Sequence, residues 1–491
     1  MKTKLEKGIN VTIYSIQIIV SIIFIYMLYA LQFIPFNYII GIGVILTALV
    51  IGEYFLIFYK KPKSKRSIAT QVISVLLSCV MVFASLSVYK VGAVVDLLGA
   101  ESFQTRAISV VVLNDSEIRN QSQLVNHSVG YISAIDPETM TYATKEIKDY
   151  VGFIYLEDYA DFSTLVTALY NQEVDAIIID EAFRSLIEAE FETFTDDTRV
   201  IYQVTKQEGS VSAVSVDVTE KPFLVYISGN DEYGEITAVS RSDVNMLAAI
   251  NPTTHQILLI SIPRDIYVPL HRNGKYDKFT HAGIYGLQES IDTLEDLLQE
   301  DINYYVKMNF TSFINIVDAI GGITVNSPAE FTTKIGGFHI QKGENTLNAK
   351  QALAFVRERK SFINGDFERG RNQQRMIAAI VKKVCSPAIL TSFSSILDTV
   401  SGSVETNLSS QDMNALVQLQ LSQMPSWDIQ SYQIIGDVGS QPCYSAGSQV
   451  LSVVIPYDSS IRQAAQYIDD LLAGNIIQTE DGNLNENTPS E

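Results

Sequence analysis

The chain has 491 residues, 47% of them apolar, with 35 Lys and Arg set against 55 Asp and Glu for a formal charge of −20. It is too long for one ordinary domain, and its acidity argues against nucleic acid as the main ligand. Three cysteines are too few for a disulfide framework; the spacing of Cys385 and Cys443 permits a bridge without demanding one.

Residues 8–52 carry no charged side chain. A bilayer-spanning helix needs about 20 apolar residues, so this stretch predicts one span over about 10–33 and a second over about 37–59, parted by the turn in "QFIPFN". A third uncharged stretch runs from Ser67 to Tyr89. No small-residue cleavage site separates the first two apolar runs, which argues against a removable signal peptide. Lys2, Lys4 and Lys7 precede the first span, and "KKPKSKR" at 60–66 joins the second to the third. By the positive-inside rule the N-terminus and this loop face the cytoplasm, and everything after about residue 92 lies outside. Residues 1–66 have net charge +6, the remainder −26.

Residues 1–92 therefore read as a three-helix membrane anchor. Residues 98–215 alternate strand-like runs, "AISVVVLND", "VGFIYLED" and "VDAIIID", with helix-like segments such as "FSTLVTALYNQ". That rhythm predicts an α/β accessory domain with no catalytic constellation. "TKQEGSVSAVSVDVTEKP" (205–222) reads as a linker or edge segment. A second α/β unit covers 216–475, with strands "FLVYISG", "NMLAAINP", "HQILLISI" and "YYVKMNF", and helices near 286–299 and at "TSFINIVDAIGG". The polar end, 476–491, is expected to be disordered.

In this second unit charged residues gather at strand ends and around one glycine-bearing loop. The stretch "FVRERKSFINGDFERGRNQQR" contains Arg357, Arg359, Arg369, Arg371 and Arg375. Asp231, Arg241, Asp243, Arg264, Asp265 and Lys278 follow strand-like runs. Guanidinium groups offer a fork of donors matched to phosphate oxygens, and two carboxylates among them suit a hard cation such as Mg²⁺. The constellation points to a metal–pyrophosphate site at the carboxyl edge of a sheet. The competing reading is ordinary ion pairs, Arg357 with Asp366, or Glu368 with Arg371 and Arg375. No HExxH, Walker A or GxSxG motif occurs, and His281 reads as structural rather than as a base. On a regular helix Arg357 and Arg359 would diverge by about 200°, so they meet one anion only if the chain leaves helical geometry at "KSFING".

The ordered motifs "SGND", "SRSDVNMLAAINP", "ILLISIPRDIYV", "DKFTHAGIYG", "INYYVKMNFTSFINIVDAIGGITV" and "ALAFVRERKSFINGDFERGRNQQR" resemble the LytR-CpsA-Psr family of cell-wall phosphotransferases over roughly 222–475. Three spans and an added α/β domain resemble its streptococcal capsule-locus branch. The resemblance implies a central mixed sheet and transfer of a polyprenyl-pyrophosphate-linked glycan, here capsular polysaccharide, to peptidoglycan. Polyprenyl phosphate would leave. It implies Mg²⁺ or Mn²⁺ held by Asp231 and Asp243. Arg264, Arg357 and Arg359 would be catalytic, with Arg241, Lys278, Arg369 and Gln373 binding substrate. Glu232 and Tyr233 stand where many members carry Ser or Thr followed by Arg, so one phosphate contact is missing there. The implied partners are the lipid-linked glycan, peptidoglycan, the membrane and capsule-assembly proteins, with no nucleic acid. A non-enzymatic regulator of capsule assembly is the alternative. A transcriptional regulator conflicts with three spans and an acidic outer bulk.

Overall fold

The computed structural model describes residues 2–32, 34–58, 65–99, 103–231, 236–386, 396, 402–447, 449–482 and 484. Three apolar helices come first, Lys2–Ala30, Phe36–Phe58 and Lys65–Leu98. Their apolar cores have mean hydropathy 2.2, 2.2 and 2.3. Ile, Val, Leu and Phe side chains face outward along all three, a surface suited to lipid and costly in water. Polar groups face inward instead: Gln71 donates to Asn10, Ser78 to Gln17, and Gln17 Nε2 to the Met81 sulfur at 3.6 Å. Such buried polar contacts join apolar helices that hydrophobicity alone would not hold together in lipid.

The third helix does not stop at Tyr89, where its uncharged stretch ends. It continues through Lys90 and Asp96 to Leu98, because nothing in that segment breaks a helix. Its far end docks on the helix Ser410–Gln423: Ser410 donates to the Val95 carbonyl at 3.1 Å, and Val91 and Leu31 pack with Val417 and Leu421. Gly99 passes so close to the backbone of Ser410 that a Cβ there would lie 2.3 Å from its nitrogen.

The accessory domain is a five-stranded sheet in the order Tyr155–Asp158, Ser128–Tyr131, Ala176–Asp180, Thr105–Leu113, Thr198–Gln207. The first three strands are parallel. Thr105–Leu113 runs antiparallel to both neighbours, a feature the alternation of strands and helices does not reveal, since it specifies crossovers only between consecutive strands. Helix Pro137–Val151 covers one face and Phe162–Tyr170 the other.

The second unit is built on six strands in the order Glu405–Thr406, Tyr304–Asn309, Phe223–Asn230, Val244–Asn251, Gln256–Ser261, Asp428–Gln433. Four of them run the same way; Val244–Asn251 and Glu405–Thr406 run opposite. Phe223–Asn230 and Gln256–Ser261 are buried throughout, which explains their unbroken apolar reading. Leu287–Leu298 and Asp458–Leu472 cover one face. Gly365–Val384, carrying Arg369, Arg371 and Arg375, covers the other with Ser410–Gln423. Residues 476–482 are not a free tail. Ile477 exchanges hydrogen bonds with Gln256, both 3.0 Å, Thr479 donates to the Ser431 carbonyl at 2.6 Å, and Leu484 continues along the edge to Ile429. Polar composition hid this because backbone groups and Gln side chains make the contacts. The rest of the expected tail lies outside the described residues. Cys385 and Cys443 are both free thiols; Cys443 is buried, and burial with the nearby Asp277 pushes its thiol up to about 12.

The Gly365–Val384 helix lies directly on the sheet edge because of Gly370. A Cβ there would sit 2.4 Å from Gln433 Nε2 and 2.7 Å from Ser261 Oγ. Gln433 meanwhile donates to the Phe367 carbonyl at 3.0 Å, and Gln374 donates to the carbonyls of Leu259 and Tyr432, both at 2.8 Å. Gly370→Ala should therefore lower unfolding free energy by about 1–3 kcal/mol, the usual cost of overpacking. Adding Gln433→Ala should return part of the loss in a denaturant titration; a neutral Gly370→Ala would show that the helix is not held so closely.

Candidate active site

Asp231, Arg264 and Phe310 each follow the carboxyl end of one of the co-directional strands, and Asp243 immediately precedes Val244–Asn251. This is the edge where open α/β sheets bind ligands. Asp243 is 7% exposed and accepts from Arg264 Nη1 at 2.6 Å. Arg264 Nε lies 3.6 Å from Asp265 and has no hydrogen-bond partner although buried. Lys278 Nζ donates to Asp265 at 2.9 Å. Burial pushes Asp265 up, but Lys278 and Arg264 outweigh it and hold the carboxyl below its usual range.

The chain leaves helical geometry after Arg357, at Glu358 with ψ 128°. Glu358 is itself buried and accepts from the backbone nitrogens of Lys334 at 2.6 Å and Ser361 at 3.0 Å, so the bend is fixed. Arg357 stacks on the Phe310 ring at 4.2 Å. The loop then folds back until Gly365 lies against the Arg359 carbonyl, 2.3 Å from where a Cβ would be. Arg369, in the next helix, is 8% exposed.

Asp366 is not the partner of Arg357. It lies 3.4 Å from Arg359 and 3.1 Å from Arg369, bridging the two. Arg371 and Arg375 do pair with Glu368, at 3.7 and 2.6 Å, and Arg375 also donates to Asn372 at 2.8 Å. They belong to the helix surface rather than the cleft. Arg241 is half-buried and makes no ion pair among the described residues. Gln373 lies one turn after Arg369 and donates to the Val356 carbonyl at 3.5 Å, tying the two arginine-bearing helices together. Sequence reasoning missed Asp366 as a bridge and Phe310 as a platform. A capping box at Asn309, legible as N-x-x-S, sets the helix that starts with Phe310.

Electrostatics decide what this cleft holds. Burial, then the adjacent Arg264, push Arg369 below the usual guanidinium range. Asp231 is open to solvent on one side, yet burial on the other and the Asp243 carboxylate raise it, while Arg369, Arg357 and Arg264 oppose the rise. Arginines that repel one another leave a place for an anion, and two converging carboxylates leave one for a cation. Asn230 Oδ1, next to Asp231, is buried without a hydrogen-bond partner. These hard oxygen donors fit Mg²⁺. Among the described residues no group of three or more Asp, Glu, His or Cys could hold a metal alone, so phosphate oxygens would complete the shell.

His281 stands behind this layer. Its Nδ1 lies 2.6 Å from Asp277, and both residues are buried. Burial raises Asp277, but the imidazole and the Ser445 hydrogen bonds together hold it below its usual range. Asp277 also accepts from the Lys278 backbone at 2.8 Å, which fixes the start of that lysine.

The LytR_cpsA_psr family model matches residues 190–463. The polyisoprenyl-teichoic acid–peptidoglycan teichoic acid transferase TagU of Bacillus licheniformis is 37% identical over 229 residues, 46% of this chain and 69% of its own. The protein of that name from Bacillus subtilis is 37% identical over 218 residues, 44% of this chain and 66% of its own. The crystal structure of B. subtilis TagU, 30% identical, covers 52% of this chain and 100% of that chain with TM-score 0.41.

Arg369→Met should weaken binding of inorganic pyrophosphate with Mg²⁺ at least tenfold by calorimetry while leaving the ligand-free protein as stable or more stable, since it removes a buried charge that Arg264 repels. Arg371→Met should leave binding unchanged and cost about 0–1 kcal/mol, as exposed ion pairs do. Equal effects of the two substitutions would dissolve the distinction between cleft and surface arginines.

Proposed function

Because the chain belongs to the LytR_cpsA_psr family, we propose that it transfers a glycan from a polyprenyl-pyrophosphate carrier to peptidoglycan, forming a phosphodiester and releasing polyprenyl phosphate. The observation that carries this reading is the convergence of Arg264, Arg357 and Arg369 on Asp231 beside Asp243. In the transfer, a peptidoglycan hydroxyl oxygen bonds to the sugar-bearing phosphorus. The bond from that phosphorus to the bridging oxygen breaks, its electron pair leaves on polyprenyl phosphate, and the hydroxyl proton passes to a base. Charge then grows on nonbridging and leaving oxygens, and fixed cations stabilise it.

The residues divide this task. Arg264, braced by Asp243 and by the Lys278–Asp265 pair, meets the nonbridging oxygens with the part of its guanidinium that stays open to the cleft. Arg357, stacked on Phe310, keeps its donors for the same phosphates. Arg359 and Arg369 exchange Asp366 for the substrate, and Arg241 and Gln373 contact its flanks. Asp231 and Asp243 would hold Mg²⁺ or Mn²⁺, which supplies charge neutralisation across the two phosphates when bound. The prenyl chain would enter beside the arginine helix, where a cleft of about 440 Å³ is lined by Val381, Cys385, Trp427 and Ile429. Gln420 of the helix that meets the membrane anchor also borders it.

We take the cargo to be capsular polysaccharide, on the resemblance of the three spans and added domain to the capsule-locus branch. The named relatives act on teichoic acid, so lipid extracted with the purified protein and identified by mass spectrometry separates the two. Transfer should fall in chelator and recover with Mg²⁺ or Mn²⁺. Asp243→Ala should stay folded without metal-dependent activity; full transfer by that variant in chelator would remove the metal from the reading. For the topology, a reporter active only in the cytoplasm should work when fused at Lys63 and fail at Glu101, and the reverse pattern would place the site on the wrong side for peptidoglycan.

A further inference from the structure

The accessory strand Thr105–Leu113 does not end its pairing at its own sheet. Thr105 N donates to the Thr237 carbonyl at 2.8 Å, and Val239 N donates to the Thr105 carbonyl at 3.0 Å, a parallel bridge centred on Ala238. Residues 237–239 lead directly into Arg241 and Asp243. The next accessory residue, Arg106, is 1% exposed. Its Nε donates to Glu208 at 2.7 Å, and its Nη1 donates to Asp180 at 2.5 Å and to the Ile284 carbonyl at 2.9 Å. Ile284 follows His281 by three residues. Gln104 Oε1 accepts from Leu287 N at 2.9 Å.

Side chains repeat the pattern. Val239 and Ile284 belong to the second unit in sequence, yet both are buried among Phe162, Phe183 and Leu165 of the accessory core. The two captured segments also touch each other: a Cβ on Gly283 would lie 2.7 Å from the Ser240 carbonyl oxygen and 2.9 Å from Ser242 N. A charge as buried as Arg106 persists only where its donors are met, and here one acceptor comes from the second unit. Main chain, ion pair and apolar core thus grip one place, the base of the segments that carry Arg241, Asp243, Lys278 and His281.

We propose that Thr105 and Arg106 are positioning residues for the anion site, making the accessory domain a working part of that site rather than a separable module. The coupling rests on these contacts alone; its effect on pyrophosphate rests on the function proposed above. Thr105→Pro removes the donor to Thr237 while tolerating the first position of a strand, and Thr105→Val keeps that donor and removes only the hydroxyl. Full-length protein in nanodiscs would be followed by hydrogen exchange and by binding of inorganic pyrophosphate with Mg²⁺. Thr105→Pro should speed exchange at least tenfold across 237–243 and 281–287, leave strand Ala176–Asp180 protected, and weaken pyrophosphate at least tenfold. Thr105→Val should match the wild type in all three. Arg106→Lys, which keeps the charge but has one nitrogen where the guanidinium places Nε against Glu208 and Nη1 against Asp180 and Ile284, should fall between them. Wild-type exchange in Thr105→Pro, or faster exchange with unchanged pyrophosphate affinity, would overturn the proposal. If the wild type itself binds no pyrophosphate, the transferase reading fails, and the exchange pattern alone then decides the coupling.

Discussion

Guanidinium groups side by side repel, and the second unit is organised around keeping several of them together. Two like charges about 4 Å apart in partly buried protein cost on the order of 4 kcal/mol, more than exposed ion pairs return. The cleft therefore needs carboxylates on short tethers. Asp243 and Asp265 brace Arg264, Asp366 lies between Arg359 and Arg369, and Arg357 rests on an aromatic face instead of a carboxylate. Each support sits at a strand end or in a helix's first turn, so the sheet edge dictates where the charges stand.

The same constraint explains the packing behind the cleft. Arg369 reaches the edge only because Gly370 brings its helix against Gln433 and Ser261. Gln374, fully tucked beneath, spends its amide on two strand carbonyls. Glycine in a helix interior costs about 1 kcal/mol relative to alanine; here that cost obtains a close approach no other residue permits.

The sequence was most readable where periodicity or composition speaks locally. The three apolar helices, the buried strands and the amphipathic Gly365–Val384 helix stand out from side-chain pattern alone, and the arginine cluster stands out against an acidic background. What stayed hidden depends on tertiary neighbours. Asp366 has five arginines within nine positions, and only the backward fold of the loop selects Arg359 and Arg369 from among them. Phe310 looks like any helix-opening apolar residue until Arg357 lies over it. The order of residues 476–482 rests on side-chain and backbone bonds to a strand more than forty positions earlier, a pairing that composition does not encode. The capture of Val239 by a neighbouring core likewise has no local signal.

The third membrane helix meets the Ser410–Gln423 helix where its uncharged stretch ends: Val88 and Val91 pack with Val417 and Leu421, and the Val95 carbonyl accepts from Ser410. Leu31 and Ile34, at the turn between the first two helices, pack on the same two residues, and the Tyr38 hydroxyl donates to the Leu421 carbonyl at 3.4 Å, so the second unit sits directly on the end of the anchor. Because the docking face repeats about every 3.6 residues, distance and rotation are geared together. A single residue inserted ahead of Val88 would turn Val88, Val91 and Val95 about 100° away from their partners, whereas two whole turns would restore the azimuth but lift these residues about 11 Å off the level of Leu31. The anchor is thus keyed in rotation and in height at once, and the second unit seats on it in a single register.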